Sequence, residues 1–198
     1  MNEEVHKIDP KHAILLVMDY TNGLIKQLPG AEAIVNSAAG VINEARKAGL
    51  NIGYVHTGFT DDGYEAVPDA NKIFSVVAHN HLIPHESQDA QIHDLVAPQA
   101  DDIIVRKTRT GAFSTTDLEE QLQEKGINTL ILAGFTTSGV VLSMVREAAD
   151  RDYKIYVLED LSTDPDKEVH DMLMQRVFPR QTDVMKQADL LDLLKAYE

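Results

Sequence analysis

Apolar residues along the chain follow two alternating patterns, short continuous runs and longer stretches in which they recur every three or four positions. The run "AILLVMDY" at residues 13–20 is almost continuously apolar, which is typical of a strand buried on both faces. Similar runs predict further strands at 51–59, 101–107, 129–135, 154–160 and 182–186. The recurring patterns predict helices at 30–50, 115–127, 138–152, 166–178 and 188–197.

This order of strands and helices, joined by short links, indicates right-handed crossovers and a parallel sheet covered on both faces. Residues 60–100 interrupt the order, because they form a His- and Pro-containing segment that is too long for an ordinary connection. We expect this segment to be either a lid or an excursion that faces the substrate. The length of 198 residues fits a single domain over 1–198.

Composition and charge exclude several classes of function. The chain contains no cysteine, which rules out disulfides, thiolate metal sites and thiol catalysis. Its net charge of −14 argues against a nucleic-acid partner, because the phosphates would be repelled. No apolar run approaches the ~20 residues of a membrane span, and the start "MNEEVHKIDP" lacks the apolar core of a signal peptide. We therefore expect a cytoplasmic protein without a membrane partner.

Chemically useful residues stand at the carboxyl ends of the predicted strands, where open α/β sheets bind their ligands. Asp19 follows a buried strand, so it is either a functional carboxylate or a hydrogen-bonded structural one. Lys107 ends another strand and is either a solvated lysine or the partner of Asp19. If the two meet, the pair could poise an acid or a base for proton transfer.

The stretch "LILAGFTTSGVVLSMV" at residues 130–145 leads from a predicted strand into a predicted helix through small and hydroxyl residues. Three interpretations remain open at this point. A hydroxyl could be a nucleophile, although no histidine lies near it in sequence to act as its base. The backbone N–H groups of 138–140 could hold an anion, or Thr137 or Ser138 could simply cap the helix.

Histidines offer two further candidates. His79, His81 and His85 lie close together in "AHNHLIPHE" and could bind a metal, but the segment predicts a solvated loop at least as well. We therefore predict neither a metal site nor a cofactor. His56, at a strand end, is either a substrate contact or a buried histidine with its hydrogen bonds satisfied.

Three spaced elements, "LLVMDYTNG", "VRKTRTGAFSTTDLEEQL" and "LILAGFTTSGVVLSMVREAADRDY", resemble the isochorismatase-like hydrolase superfamily, also called the cysteine hydrolases. The resemblance runs from about residue 12 to residue 190. It implies a Rossmann-like three-layer α/β/α sandwich with a six-stranded parallel sheet, assembled as a homodimer or a larger homo-oligomer. In that family an aspartate, a lysine and a cysteine form a catalytic triad.

Asp19 and Lys107 match the aspartate and the lysine of this triad, although Thr21 stands where the family commonly has glutamine. The position of the cysteine falls on Val140. The resemblance also implies a cis peptide near Phe135–Thr136. The substrate contacts that we expect at this edge of the sheet come from His56, Phe113, Thr136, Thr137, Ser138, Gly139 and Val140.

Valine cannot attack a carbonyl carbon, so the resemblance does not extend to the amidase branch, which forms a thioester. The aspartate and two histidines of the nicotinamidase metal site are not recognisable either. The isochorismatase branch is similar in lacking the thiol, because protonation of a vinyl ether needs an acid of the Asp19 type.

We therefore predict a hydrolase with catalytic Asp19 and Lys107 that acts on a small, anionic, carboxylated substrate. The alternative is a degenerate family member that binds a ligand or a partner without turnover. Nucleophilic catalysis by Ser138 ranks below both.

Overall fold

A computed structural model describes residues 8–195 of the chain. Its centre is a sheet of six parallel strands in the spatial order β3-β2-β1-β4-β5-β6. The strands are β1 Ala13–Met18, β2 Asn51–Thr57, β3 Ile103–Lys107, β4 Thr129–Gly134, β5 Lys154–Leu158 and β6 Asp183–Met185. From β1 the chain first builds one half of the sheet outward through β2 to β3. It then returns to the other side of β1 and builds the second half outward from β4 to β6. This reversal between β1 and β4 is the switch point at which such sheets bind ligands.

Alternate residues of β1 enter two separate hydrophobic clusters, as the two-residue period of a strand requires. Ile14, Leu16 and Met18 belong to one cluster, and their neighbours along the strand belong to the other. All six residues of β1 are buried. The continuous apolar run is therefore explained by a central strand with helices on both sides.

Eight α-helices surround the sheet within the described residues. They are α1 Asn22–Gln27, α2 Ala31–Lys47, α3 Asp61–Glu65, α4 Phe74–His79, α5 Leu118–Glu124, α6 Leu142–Ala149, α7 Lys167–Met172 and α8 Gln187–Lys195. Helices α2 and α8 contribute to one cluster, and α5 and α6 contribute to the other. The predicted three-layer α/β/α sandwich with a six-stranded parallel sheet is confirmed.

Helix α2 shows how the sequence pattern produces this packing. Its buried residues recur at intervals of three and four, as on one face of an amphipathic helix: Ala31, Val35, Ala38, Val41, Ile42 and Ala45. Gly49 follows the helix with φ 79°, a left-handed conformation that glycine adopts without steric cost and that commonly ends helices.

Several predicted elements differ from the observed ones in extent. The predicted helix at 138–152 begins with a wide π-turn, Thr137–Val141, and becomes α-helical only at Leu142. The predicted helix at 166–178 likewise changes from α7 into a π-turn at Leu173–Val177. Residues 196–197 of the last predicted helix lie outside the described residues.

The segment 60–100 contains more regular structure than its composition indicates. It includes α3, α4 and two short 3₁₀ turns, Gln88–Ala90 and Asp94–Val96. Two isolated bridges, Phe59↔Pro84 and Thr21↔Ile92, attach its second half to the residues that follow β2 and β1. No helix in the described part of the chain is long and apolar enough to cross a membrane.

Candidate active site

Asp19 is held in a fixed backbone conformation directly after β1. Its φ of 57° lies in the left-handed region, which aspartate tolerates better than most residues. Its N–H donates a hydrogen bond to the Val55 carbonyl at 2.7 Å, and its own carbonyl accepts one from the Thr21 N–H at 2.8 Å. The residue is only 4% exposed.

Lys107 reaches Asp19 from two strands away. Its Nζ lies 2.7 Å from Asp19 Oδ2 and donates to the Thr57 hydroxyl at 2.6 Å. Thr57 stands opposite Lys107 in the register between β2 and β3, which places the hydroxyl between the two charges. The sheet itself therefore builds the arrangement, with one group from the carboxyl end of each of three neighbouring strands.

Thr57 also completes the coordination of the aspartate. Its backbone N–H and its hydroxyl donate to Asp19 Oδ1 at 2.8 and 3.0 Å. Both carboxylate oxygens thus accept hydrogen bonds, and the ammonium neutralises the charge. Charge-assisted hydrogen bonds of this kind are shorter and stronger than neutral ones, so they fix the positions of all three side chains.

This ion pair borders a cavity of about 680 Å³. Asp19, Thr57 and Lys107 contribute polar groups, and the residues after β4 contribute Phe135, Thr136, Gly139 and Val140. The other lining residues come from α1 and α4, from the residues that precede these helices, from the segment after α4 and from the loop after β3: Thr21, Gly23, Leu24, Gln27, Ile73, Phe74, Val77, Leu82, Ile83, Pro84, Ser87, Asp89 and Thr110. The volume falls in the range of small-molecule sites.

The turn after β4 is anchored on both sides. Phe135 and Thr136 are joined by a cis peptide bond, at the place that the family resemblance implies. The Phe135 N–H donates to the Met18 carbonyl at 3.0 Å, and the Thr137 N–H donates to the Thr163 carbonyl at 2.9 Å. The Thr137 hydroxyl lies 2.8 Å from His170 Nδ1.

Two of the three amides that we considered as anion donors already have partners within the protein. The Ser138 N–H donates to the Asp164 carboxylate at 2.7 Å, and the Gly139 N–H donates to the Thr136 carbonyl at 3.2 Å. An anion at this turn would have to displace these bonds, and Asp164 already places a negative charge there. The geometry does not favour anion binding by Ser138 and Gly139.

The predicted site residues separate into two groups. Asp19, Lys107, Thr136, Gly139 and Val140 line the same cavity, whereas the following predicted contacts are not among its lining residues: His56, Phe113, Thr137 and Ser138. Thr137 is fully buried behind the turn, and Ser138 is exposed.

His56 and Phe113 have other partners. His56 Nδ1 donates to the Ala90 carbonyl at 3.2 Å, and burial lowers the pKa of its imidazole despite that bond and the nearby Asp19 carboxylate. His56 is thus a neutral histidine that supports the loop at Ala90. Phe113 packs in the hydrophobic cluster of α5 and α6, with the Arg151 guanidinium 4.5 Å from its ring centroid.

The three clustered histidines do not converge. His79 ends α4 and lies 3.1 Å from an Asp69 carboxylate oxygen, while His81 packs its ring 4.8 Å from that of Tyr64. The imidazole Nε2 of His85 lies 3.8 Å from a Glu86 carboxylate oxygen. Within residues 8–195 no group of three histidine, aspartate or glutamate side chains is arranged to hold a metal ion.

Thr57 is the residue of the ion-pair network that could not be predicted from the sequence. The only signal was its place at the end of the apolar strand "NIGYVHTGF", and threonine is common in strands.

A cavity of this size beside a buried Asp–Lys pair, at the switch point of a parallel α/β sheet, has the geometry of a small-molecule site. The model of the isochorismatase domain matches residues 13–189, so this chain belongs to the isochorismatase family, a family of hydrolases.

Individual relatives agree with this assignment. The isochorismatase family protein YecD of Escherichia coli O157:H7 is 27% identical over 194 residues, which cover 95% of this chain and 99% of the relative. Maleamate amidohydrolase of Pseudomonas putida is 28% identical over 191 residues and covers 91% of this chain, while this chain covers 86% of that enzyme.

A solved structure supports the fold. The cysteine hydrolase of Pseudomonas syringae pv. phaseolicola superposes with a TM-score of 0.89 at 20% identity, covering 97% of this chain and 96% of that one.

Proposed function

We propose that the protein is an isochorismatase-family hydrolase without a thiol nucleophile, which cleaves a small carboxylated substrate by acid–base catalysis at Asp19. The observation that supports this most is the Asp19–Lys107 ion pair, 2.7 Å long and buried at the edge of the cavity. Val140 lies in the wall of the same cavity. By the family resemblance this is the position of the thiol, so no thioester can form there.

The pair can move a proton in either direction. For a vinyl ether, the proton of Lys107 Nζ passes through Asp19 Oδ2 to the terminal carbon, water adds to the resulting cation, and the water proton returns to the pair. The hemiketal then collapses to a carbonyl compound and an alcohol. For another hydrolysable bond, Asp19 removes a proton from the attacking water and gives it to the leaving group.

The proposed substrate class follows from the site and from one relative. Lys107 is the one cation among the lining residues, and its ammonium has three N–H donors, of which Asp19 and Thr57 take two, so the third is available for a substrate carboxylate. Maleamate amidohydrolase acts, by its name, on a small carboxylated amide. We extend the carboxylated class to this chain, but we do not extend thiol chemistry.

The proposal also includes the location, the oligomeric state and the partners of the protein. The protein would work in the cytoplasm as a homodimer or a larger homo-oligomer, with a small molecule as its partner and without a cofactor. The negative net charge supports the expectation that neither nucleic acid nor a membrane surface is a partner.

The test is a turnover assay of the purified protein with isochorismate, simple vinyl ethers and small carboxylated amides, followed by NMR. Wild type should hydrolyse at least one compound, and Asp19→Asn should lower kcat at least about a hundredfold, as expected for loss of a general acid–base group. Asp183→Asn is the matched control, because Asp183 pairs with Lys154 in an exposed ion pair and does not line the cavity.

A result without turnover would favour the alternative. If wild type and Asp19→Asn are equally inert on every compound while one compound binds, the protein is a ligand-binding member of the family. This alternative, ligand binding without turnover, is supported by Val140, which is buried in the cavity wall where the family resemblance implies the catalytic cysteine.

A further inference from the structure

The lining of the cavity is divided by chemistry according to the element that supplies it. The strand ends and the loop at 87–89 supply most of its polar groups. In contrast, the lining residues between 73 and 84, from α4 and the residues on either side of it, are all apolar: Ile73, Phe74, Val77, Leu82, Ile83 and Pro84. We call these six residues the apolar wall.

Parts of the apolar wall are exposed to an unusual degree. The exposed fractions of Ile73, Leu82 and Ile83 are 64%, 46% and 37%. Apolar surface of this kind is rarely left in contact with water as a contiguous patch unless it contacts a ligand or a partner. Because the wall is continuous with the space beside Asp19 and Lys107, a molecule that reacts there would cover it.

The wall is also held in place before any ligand arrives. Phe74 packs with Phe59, Tyr64 and Ala78 in a small cluster of its own. The Leu82 carbonyl accepts a hydrogen bond from the Tyr64 hydroxyl at 3.0 Å, and the Ile83 carbonyl accepts one from the Phe59 N–H at 3.0 Å.

Ile83 shows that this arrangement is imposed on the chain. Its φ of 58° lies in the left-handed region, where a β-branched residue is a genuine outlier. Strained residues of this kind persist only where the surrounding structure fixes them, and they concentrate at ligand sites. A preorganised apolar surface binds a ligand without first losing conformational entropy.

We infer that the apolar wall is a specificity site for a substrate that carries an aromatic or branched aliphatic group in addition to the bond that is cleaved. The inference rests on the proposed function for the reacting end, which lies at Asp19 and Lys107. The cavity of about 680 Å³ has room for both parts, since sites of this size take drug-sized ligands. A substrate of a few heavy atoms would leave the wall uncovered.

Binding of two simple carboxylates, 3-phenylpropanoate and propanoate, tests this inference without requiring turnover. Isothermal titration of the wild-type protein should give at least about tenfold tighter binding of 3-phenylpropanoate. Ile73→Ser and Leu82→Ser should each remove most of that preference and leave the affinity for propanoate within about twofold, because only the phenyl group contacts the wall.

The chain offers a matched control for each variant. Ile104→Ser and Leu95→Ser replace isoleucine and leucine side chains that are 48% and 52% exposed but do not line the cavity. Both controls should keep the wild-type preference for 3-phenylpropanoate. Circular dichroism spectra of all four variants establish that they fold, so a lost preference reports on the wall.

Failure of the inference can be told apart from failure of the proposed function. Equal affinity for the two carboxylates, or binding of neither, overturns the inference even if the protein hydrolyses a small substrate. Binding of 3-phenylpropanoate that depends on Ile73, without hydrolysis of any compound, supports recognition of an aromatic group by the wall and overturns the hydrolase proposal. If Ile73→Ser changes the oligomeric state in sedimentation but not the affinity, the wall is an interface between copies and the inference fails.

Discussion

Asp19 and Lys107 form an ion pair in a place where such a pair contributes little to stability. Their side chains are 6% and 3% exposed, so both charges have lost almost all contact with water. The cost of removing two charges from water often equals or exceeds their attraction, and apolar residues can replace such pairs without loss. A pair retained in the wall of a cavity is therefore better explained by chemistry than by folding.

Breaking this pair on one side should cost more than removing both partners. Lys107→Met leaves the Asp19 carboxylate buried without its cation, which should lower the free energy of unfolding by about 3–5 kcal/mol. The double variant Lys107→Met with Asp19→Asn should recover more than half of that loss, as measured by urea denaturation.

Lys47→Met is the control, since Lys47 pairs with Glu44 at the surface. It should change the free energy of unfolding by no more than about 1 kcal/mol. If Lys107→Met and Asp19→Asn lower the free energy of unfolding additively, the Asp19 carboxylate and the Lys107 ammonium do not depend on each other for their stability.

His170 should make the stability depend on pH. Burial lowers the pKa of its imidazole below 6.5, so the unfolded state binds a proton more readily than the folded state. The neutral imidazole of His170 therefore contributes fully to the free energy of unfolding above pH ~6.5, and this contribution is lost as the pH falls toward the lower pKa of the folded state. The slope of the free energy of unfolding is at most about 1.4 kcal/mol per pH unit.

Replacing His170 by Gln should flatten this part of the curve in urea denaturation between pH 5 and pH 8. Above pH ~7 both proteins carry a neutral side chain, so their difference in stability should stay constant there. A wild-type protein that becomes more stable on acidification through this range, with the gain lost in His170→Gln, would contradict the assignment.

At the scale of the element, the turn Thr137–Val141 joins β4 to α6 and carries Val140 to the cavity. Thr163 and Asp164 accept hydrogen bonds from the first two N–H groups of the turn, and Met18 of β1 accepts one from Phe135, which precedes it. Two neighbouring valines consequently differ in environment. Both are buried in the same hydrophobic cluster, at 2% and 0% exposed, but Val140 lines the cavity and Val141 does not.

This difference can be measured because the chain contains no cysteine that would react in the background. The thiol in Val140→Cys should react with iodoacetamide at least about tenfold faster than the thiol in Val141→Cys, since position 140 lines the same cavity as the Lys107 ammonium and position 141 does not. Intact-mass spectrometry over time gives both rates. Equal rates in the folded proteins would show that Val140 does not face accessible space.

The sheet could be predicted from the sequence because its signals are local. Six consecutive apolar residues identify β1, and the three- and four-residue spacing identifies α2. Helix α4, "FSVVAH", could not be identified, because six residues span fewer than two helical turns and are too few to show a helical period. Its place is set by packing of Phe74 on Phe59 and Tyr64.

The site was predictable only in part for a similar reason. Asp19 and Lys107 could be found because a charge that ends an apolar strand is conspicuous in the sequence. The role of Thr57 depends on the register between β2 and β3, and the capture of the Ser138 N–H depends on Asp164, 26 residues further along the chain. Such contacts are tertiary and leave no mark in the local pattern.

For the whole molecule, the net charge of −14 is the property that most affects behaviour in solution. A large net charge opposes the compact state through self-repulsion, and salt screens that repulsion. Salt also weakens the exposed ion pairs, such as Lys26–Asp89. Each of these pairs contributes little to the free energy of unfolding, so this loss is smaller than the gain from screening the repulsion.

Added salt should therefore stabilise the protein. Raising NaCl from 20 mM to 300 mM should raise Tm by about 2–4 °C, which corresponds to roughly 1 kcal/mol for a chain of this size. Differential scanning calorimetry measures the shift. A Tm that falls with salt would mean that specific ion pairs outweigh the net repulsion.

The most direct test of the account compares two variants on one substrate that the wild-type protein hydrolyses. We expect Asp19→Asn to lower kcat/KM at least about a hundredfold, because the acid–base group is lost. Ser138→Ala should stay within about threefold of wild type, since Ser138 is exposed and does not line the cavity. The opposite result, with Ser138→Ala inactive and Asp19→Asn active, would show that a hydroxyl nucleophile carries the reaction and that Asp19 does not.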